Sequence, residues 1–227
     1  MQRVRLKFGR GEQVKFISHL DMLRFWERAF RRAGIPLAYS QGFTAHPRLS
    51  LAAPLAVGVT SEAELMDVRL NRWMPPHSVM MLVKTQLPEG FDVFDAWEVG
   101  LSAPSLQSCL AFAAYRVEVR SDKSEQWVKA SIHSLLQAKT LPWYHYRGTK
   151  VHSYDLRVLI GDLGLIDCHP ERSEGSLYVL GMRLRCDANG SGRPEQVVTA
   201  LGFSECPESI HRTKLTLKGD LGTGAQQ

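Results

Sequence analysis

The chain has 227 residues, 44% of them hydrophobic, and five more basic than acidic side chains, a composition that supports a packed core and excludes a disordered or fibrous chain. Its four cysteines, Cys109, Cys168, Cys186 and Cys206, stand singly, which excludes a dense disulfide framework and predicts a reducing, cytoplasmic setting. The charge is unevenly spread: residues 1–50 hold 10 Lys/Arg against 3 Asp/Glu, residues 51–100 hold 3 against 7, and the remainder 15 against 13.

From Arg3 to Phe8 the sequence alternates strictly, so a strand is predicted with Val4, Leu6 and Phe8 on its inner face and Arg3, Arg5 and Lys7 on a basic outer face. No targeting segment is expected ahead of it. Ser18 then caps a helix, with Asp21 at the capping-box position and Gly34-Ile35-Pro36 as the stop. Met22, Trp26, Ala29 and Ala33, beside Leu23 and Phe30, form its buried stripe, whereas Asp21, Arg24, Arg28 and Arg31 recur on another face. "AYSQGF" and "RLSLAAP" read as extended pieces around a loop, and "ELMDVRLN" as a strand with Met66, Val68 and Leu70 inward. "PPHSVMMLVKTQLPEG" carries Pro at a helix start and Pro-Glu-Gly at its stop, and "FDVFDAWEV" closes the unit. The longest apolar run, "LSLAAPLAVGV", is too short and too Pro-broken to span a bilayer, so no membrane partner is expected.

The order β-α-β-β-α-β predicts an α+β, ferredoxin-like unit over residues 1–100, with an antiparallel sheet whose second face is open. "GLSAPSLQS" marks a boundary, and the same order repeats over 108–218. There "AYRVEVR" is a strand, "SEQWVKASIHSLLQA" a capped helix, "PWYHYRG" with "VHSYDLRVLIGDL" a hairpin, "SLYVLGMRLRC" a strand, "RPEQVVTALGF" a helix and "IHRTKLTL" the last strand. Two tandem ferredoxin-like units are therefore expected, with an inserted loop near 167–176 and a disordered tail over 219–227.

The chemistry on offer is mainly electrostatic. Arg24, Arg28, Arg31, Arg32 and Arg48 form a candidate phosphate-binding set, because a local arginine excess releases counterions from a polyanion, and Arg3, Arg5 and Lys7 extend it. His19, Asp21, Tyr39 and His46 are placed on its rim. A triad of Ser18, His19 and Asp21 is disfavoured, since residues two apart on a helix point apart. His19, Asp21 and His46 are chemically suited to a metal, but no HxxxH or CxxC spacing supports one, and neither metal nor cofactor is expected. His19 beside Arg24 and Arg28 is the low-ranked catalytic candidate, for a metal-independent ribonuclease. Trp143, Tyr144, His145, Tyr146 and Arg147 suit either base stacking or hairpin packing. There is no P-loop, no RNA-recognition strand signature and no CxxxCxxC for the cluster of radical S-adenosylmethionine (radical SAM) chemistry.

Lys15 to Leu70, with "RPEQVVTALGF" and "HRTKL" near the end, resembles the bacterial radical-SAM-linked protein family, a domain of unknown function fused to or encoded beside radical SAM enzymes. The family's usual loop reads more like GFNPHP, where this chain has Gly42-Phe43-Thr44-Ala45-His46-Pro47, and the 167–176 segment is a second departure. The resemblance implies a companion to a radical SAM enzyme, in a genomic setting often near ribonuclease and ribosomal-protein genes, and it implies no established reaction. Joined to the basic segment, it gives the expectation of a cytoplasmic, non-catalytic protein that binds or presents RNA or a ribonucleoprotein to that enzyme. Two alternatives stand beside it: an adaptor that docks to the enzyme without RNA, and the His19 ribonuclease.

Overall fold

A computed structural model describes residues 1–147, 150–169 and 175–222, and no helix among them is long and apolar enough to cross a membrane. The chain divides into two units, Met1–Leu110 and Ala111–Gln227. Both are mixed α and β structures with antiparallel sheets and few helices.

The first unit runs β1 (Gln2–Arg10), α1 (His19–Arg32), β2 (Leu49–Leu51), β3 (Thr60–Leu70), α2 (Pro76–Lys84), β4 (Phe91–Val99) and α3 (Leu106–Cys109). Its sheet reads β2-β3-β1-β4, antiparallel at every step. The alternation of β1 puts Val4, Leu6 and Phe8 into one cluster with Met66, Val68 and Leu70 of β3, Met22, Trp26, Ala29 and Phe30 of α1, and Val79 and Val83 of α2. Each of these large side chains, once fully buried, contributes about 1.5–3 kcal/mol. Aromatic edges organise the middle: Phe8 meets Trp26 at 4.8 Å between centroids, and Phe25 stacks on Phe91 at 4.3 Å.

The predicted open, basic outer face of β1 is not found. Arg3 and Arg5 are buried, both bound to Asp67 of β3, and only Lys7 of the three is exposed. The segment read as an interdomain boundary belongs to this unit and folds back on that face. Arg3 donates to the carbonyls of Ala103 and Pro104, both at 2.8 Å, Gln107 donates to Ser50 Oγ and the Leu51 carbonyl, both at 2.7 Å, and Leu106 is fully buried.

The second unit runs β5 (Leu110–Ser121), α4 (Glu125–Gln137), β6 (Pro142–Arg147), β7 (Lys150–Asp155), β8 (Ile160–His169), β9 (Ser176–Asp187), β10 (Gly190–Ser191), α5 (Pro194–Ala200) and β11 (Ser209–Leu217). Its main sheet reads β8-β9-β5-β11, with β10 beside the end of β9. Strands β6 and β7 form a separate two-stranded sheet. The expected pairing of "PWYHYRG" is found with the first part of "VHSYDLRVLIGDL", and the rest of that segment is a second strand: Asp155 accepts from the amides of Leu141 and Arg157, at 2.7 and 2.9 Å, and a 3-10 turn over Arg157–Leu159 starts β8 afresh. Part of the expected inserted loop is strand, since β8 continues to His169 and β9 begins at Ser176, while residues 170–174 lie outside the described residues. Lys218–Gly222 form a 3-10 turn, and residues 223–227 of the expected tail also lie outside them.

Candidate nucleic-acid interface

Helix α1 starts where its sequence says it must. Ser18, extended in backbone, accepts the Asp21 amide at 3.2 Å and donates its hydroxyl to the Asp21 carboxylate at 2.8 Å. It ends as the chain turns through Gly34 at φ +68°, with the Ile35 amide returning to the Phe30 carbonyl at 3.0 Å. The approach to the helix is pinned by buried Arg10, which donates to the carbonyls of Val14, Lys15 and Ile17.

With Met22, Trp26, Ala29 and Phe30 buried, Arg24, Arg28, Arg31 and Arg32 are all exposed. Arg24, Arg28 and Arg31 follow one another at helical spacing and share a face. They are not equally available. Arg24 meets Asp21 at 3.3 Å, Arg31 meets Glu27 at 3.8 Å, and Arg32 donates to the Gln86 carbonyl at 2.9 Å. Arg28 has no ion pair among the described residues. Such exposed pairs hold their partners weakly, at about 0–1 kcal/mol, so a polyanion can exchange for them.

The other expected residues separate. Asp21 caps α1. His19 is exposed at the start of that helix and lines, with Phe8, Arg10, Met22 and Glu64, a small cleft of about 10 Å³. Tyr39 and His46 sit at the neck of a loop closed by Ser40 N–H to the His46 carbonyl at 2.8 Å and His46 N–H to Ser40 Oγ at 3.0 Å; Phe43 stands fully exposed within it. Among the described residues no hydrogen bond joins Tyr39 or His46 to α1, and no three His, Cys, Asp or Glu side chains gather as a metal site.

Arg48 leaves the α1 set altogether. It is half-buried beside Arg3, Asp67, Arg69, Ser50 and Ser105, around a pocket of about 270 Å³ over the sheet. Arg3 and Arg5, expected as an exposed extension, are instead bound to Asp67, Arg3 Nε at 2.9 Å and Arg5 Nε at 2.7 Å. Asp67 and Arg69 went unselected in the sequence, although the alternation that turns Met66, Val68 and Leu70 inward puts both on the opposite face. Of the aromatic cluster, Trp143 pairs across the β6–β7 ladder with Tyr154 and Tyr144 is exposed; the side chains of His145, Tyr146 and Arg147 lie outside the described residues.

Residues 3–194 match the model of a family described as an uncharacterized protein conserved in bacteria (DUF2344). The chain belongs to that family. No curated protein matches it. Among solved structures, a Cbf5-Nop10-Gar1 complex is similar over 93% of this chain and 48% of that one, at 6% identity and a TM-score of 0.48. An H/ACA ribonucleoprotein bound to a substrate RNA containing 2'-deoxyuridine is similar over 93% and 47%, at 7% identity and 0.43. An unknown protein from Galdieria sulphuraria is similar over 88% and 89%, at 16% identity and 0.27. The chain therefore spans about half the length of the first two structures, and likeness this slight identifies no ligand for the family.

Proposed function

We propose that this protein is a non-catalytic accessory protein that binds RNA along α1 and presents it to a separate radical SAM enzyme. The observation that carries the reading is the exposed row Arg24, Arg28 and Arg31, with Arg32 beside it, on a helix anchored by a fully buried Trp26. A rigid helix with several guanidinium groups on one side contacts successive phosphates without reading base sequence. The radical SAM partner rests on the resemblance of Lys15 to Leu70 to the linked family. The two units as ferredoxin-like repeats, residues 1–100 and 108–218, form part of the same proposal; the strand orders β2-β3-β1-β4 and β8-β9-β5-β11 support it.

A second reading has its own observation. Phe16 and Leu20, at 72% and 65% exposure, lie beside the start of α1, and apolar side chains next to arginine also suit a protein interface. In that case the protein is an adaptor docked on the enzyme, with no RNA between them.

Binding of a single-stranded oligoribonucleotide across a salt series separates the two. The RNA reading expects affinity to fall steeply with salt, and expects the log–log slope to become shallower by about 2 in R24Q/R28Q/R31Q, at about 0.7 per lost phosphate contact. A flat response, with Phe16→Ser weakening capture of the purified enzyme, favours the adaptor.

A further inference from the structure

Strand register lines up three arginines side by side. Arg3 of β1 lies opposite Arg69 of β3. On the other side of β3, Leu49 lies opposite Val68, and the next residue outward, Arg48, accepts the Arg69 amide on its carbonyl at 3.0 Å. Directly opposed residues in a sheet share a face, so Arg48, Arg69 and Arg3 make one row; two residues along, Ser50, Asp67 and Arg5 make the next row on that face. Four arginines thus share a sheet face with one carboxylate.

That carboxylate is fully engaged. Asp67 accepts from Arg3 Nε and Nη2 at 2.9 and 2.5 Å, and from Arg5 Nε and Nη2 at 2.7 and 3.1 Å. Arg48 and Arg69, both half-buried, have no ion pair among the described residues, and like charges placed directly opposite across a ladder repel. Among the described residues the hydroxyls of Ser50 and Ser105 donate to no acceptor. Ser50 Oγ takes a hydrogen bond from Gln107 at 2.7 Å and Ser105 Oγ takes one from the Ser108 amide at 3.3 Å, so each keeps its own proton to donate. Arg48, Arg69, Ser50 and Ser105 line one pocket of about 270 Å³, whose wall is fixed by Arg3 donating to Ala103 and Pro104.

We infer that this pocket binds a phosphate monoester, with Arg48 and Arg69 as the cationic donors and Ser50 and Ser105 as hydroxyl donors. Two guanidinium forks and two hydroxyl protons match three terminal oxygens on a tetrahedral centre better than they match the two coplanar oxygens of a carboxylate. The ligand neutralises Arg48 and Arg69, the two members of the row without a carboxylate partner among the described residues. The α1 arginines do not line this pocket, so the inference stands apart from the RNA reading.

The test uses the full chain in phosphate-free buffer, titrated with inorganic phosphate by calorimetry and followed by thermal unfolding. Saturable one-to-one binding and a rising Tm are expected, weakened about tenfold or more in R48Q and in R69Q and unchanged in R28Q. Each glutamine also relieves the row, so without phosphate these two variants unfold no earlier than the parent. Absence of saturable binding, or affinity in R48Q and R69Q unchanged from the parent, overturns the inference. The source is read with one oligoribonucleotide carrying either a 5'-phosphate or a 5'-hydroxyl. Tighter binding of the phosphorylated form, lost in R69Q, supports the pocket and names an RNA end as its ligand; equal binding of the two forms, with inorganic phosphate still saturating, supports it and names a small phosphate ester.

Discussion

Arg31 on α1 and Arg69 on β3 carry the same charge and answer to different physics. Arg31 stands in solvent with Glu27 at 3.8 Å, where water screens the pair and the side chain gives up little by changing partners. Arg69 is half-buried between Arg3 and Arg48, where the sheet fixes its neighbours and the local carboxylate is already taken. The first arrangement suits a long, exchangeable polyanion; the second suits one compact anion held in place. Arg31 and Arg48, from one basic segment, therefore end on unlike surfaces, and burial separates them.

The largest effect is expected of Asp67→Asn. With Arg3 and Arg5 left buried around a neutral side chain, a loss of about 3–5 kcal/mol is expected in denaturant unfolding. A loss under about 1 kcal/mol would mean that the sheet face is as solvated as the helix face.

The second unit supplies a smaller effect and a control. Burial pushes the Asp187 carboxyl up, but hydrogen bonds from Arg185 at 2.9 Å and from the Asn189 amide at 2.8 Å, with the charges of Arg185 and Lys218, hold it below its ordinary value. A folded-state pKa below the unfolded value of about 3.9 means stability present above that pH and lost as pH falls through the folded pKa. Asp187→Asn is expected to lose about 2 kcal/mol near neutral pH and nothing at the acid end of that window, with RNA and phosphate binding unchanged.

Ser18→Ala tests whether α1 must be intact to display its arginines. Loss of the cap costs about 1 kcal/mol, and faster amide exchange is expected at Asp21 before any change at Trp26. Smallest of all, Glu27→Gln is expected to change stability by less than about 0.5 kcal/mol, while RNA affinity rises slightly as Arg31 loses a competitor. A stability loss comparable to that of Asp67→Asn would erase the distinction between the two surfaces.

The ends and the exposed face of α1 were legible in the sequence because local rules govern them. Ser18, Asp21 and Gly34 mark the ends, and the 3.6-residue period separates Trp26 from Arg28 without reference to the rest of the chain. Strand alternation likewise assigned Val4, Leu6 and Phe8 to the core. What alternation could not say is whether the opposite face meets water, because that depends on which strands flank β1 and on the return of residues 101–109. Arg3, Arg5 and Arg48 were misplaced for that reason, and Arg69 was missed with them. The β7–β8 break was hidden in the same way, since it turns on the Asp155 hydrogen bonds and not on the hydrophobic pattern.

The most direct test of two separate anion surfaces is a crossed titration of R24Q/R28Q/R31Q and R48Q/R69Q, each against a 5'-hydroxyl oligoribonucleotide and against inorganic phosphate. The account predicts that the first variant loses the RNA and keeps the phosphate, and that the second does the reverse. Loss of both ligands together in either variant, with the fold intact, would contradict it.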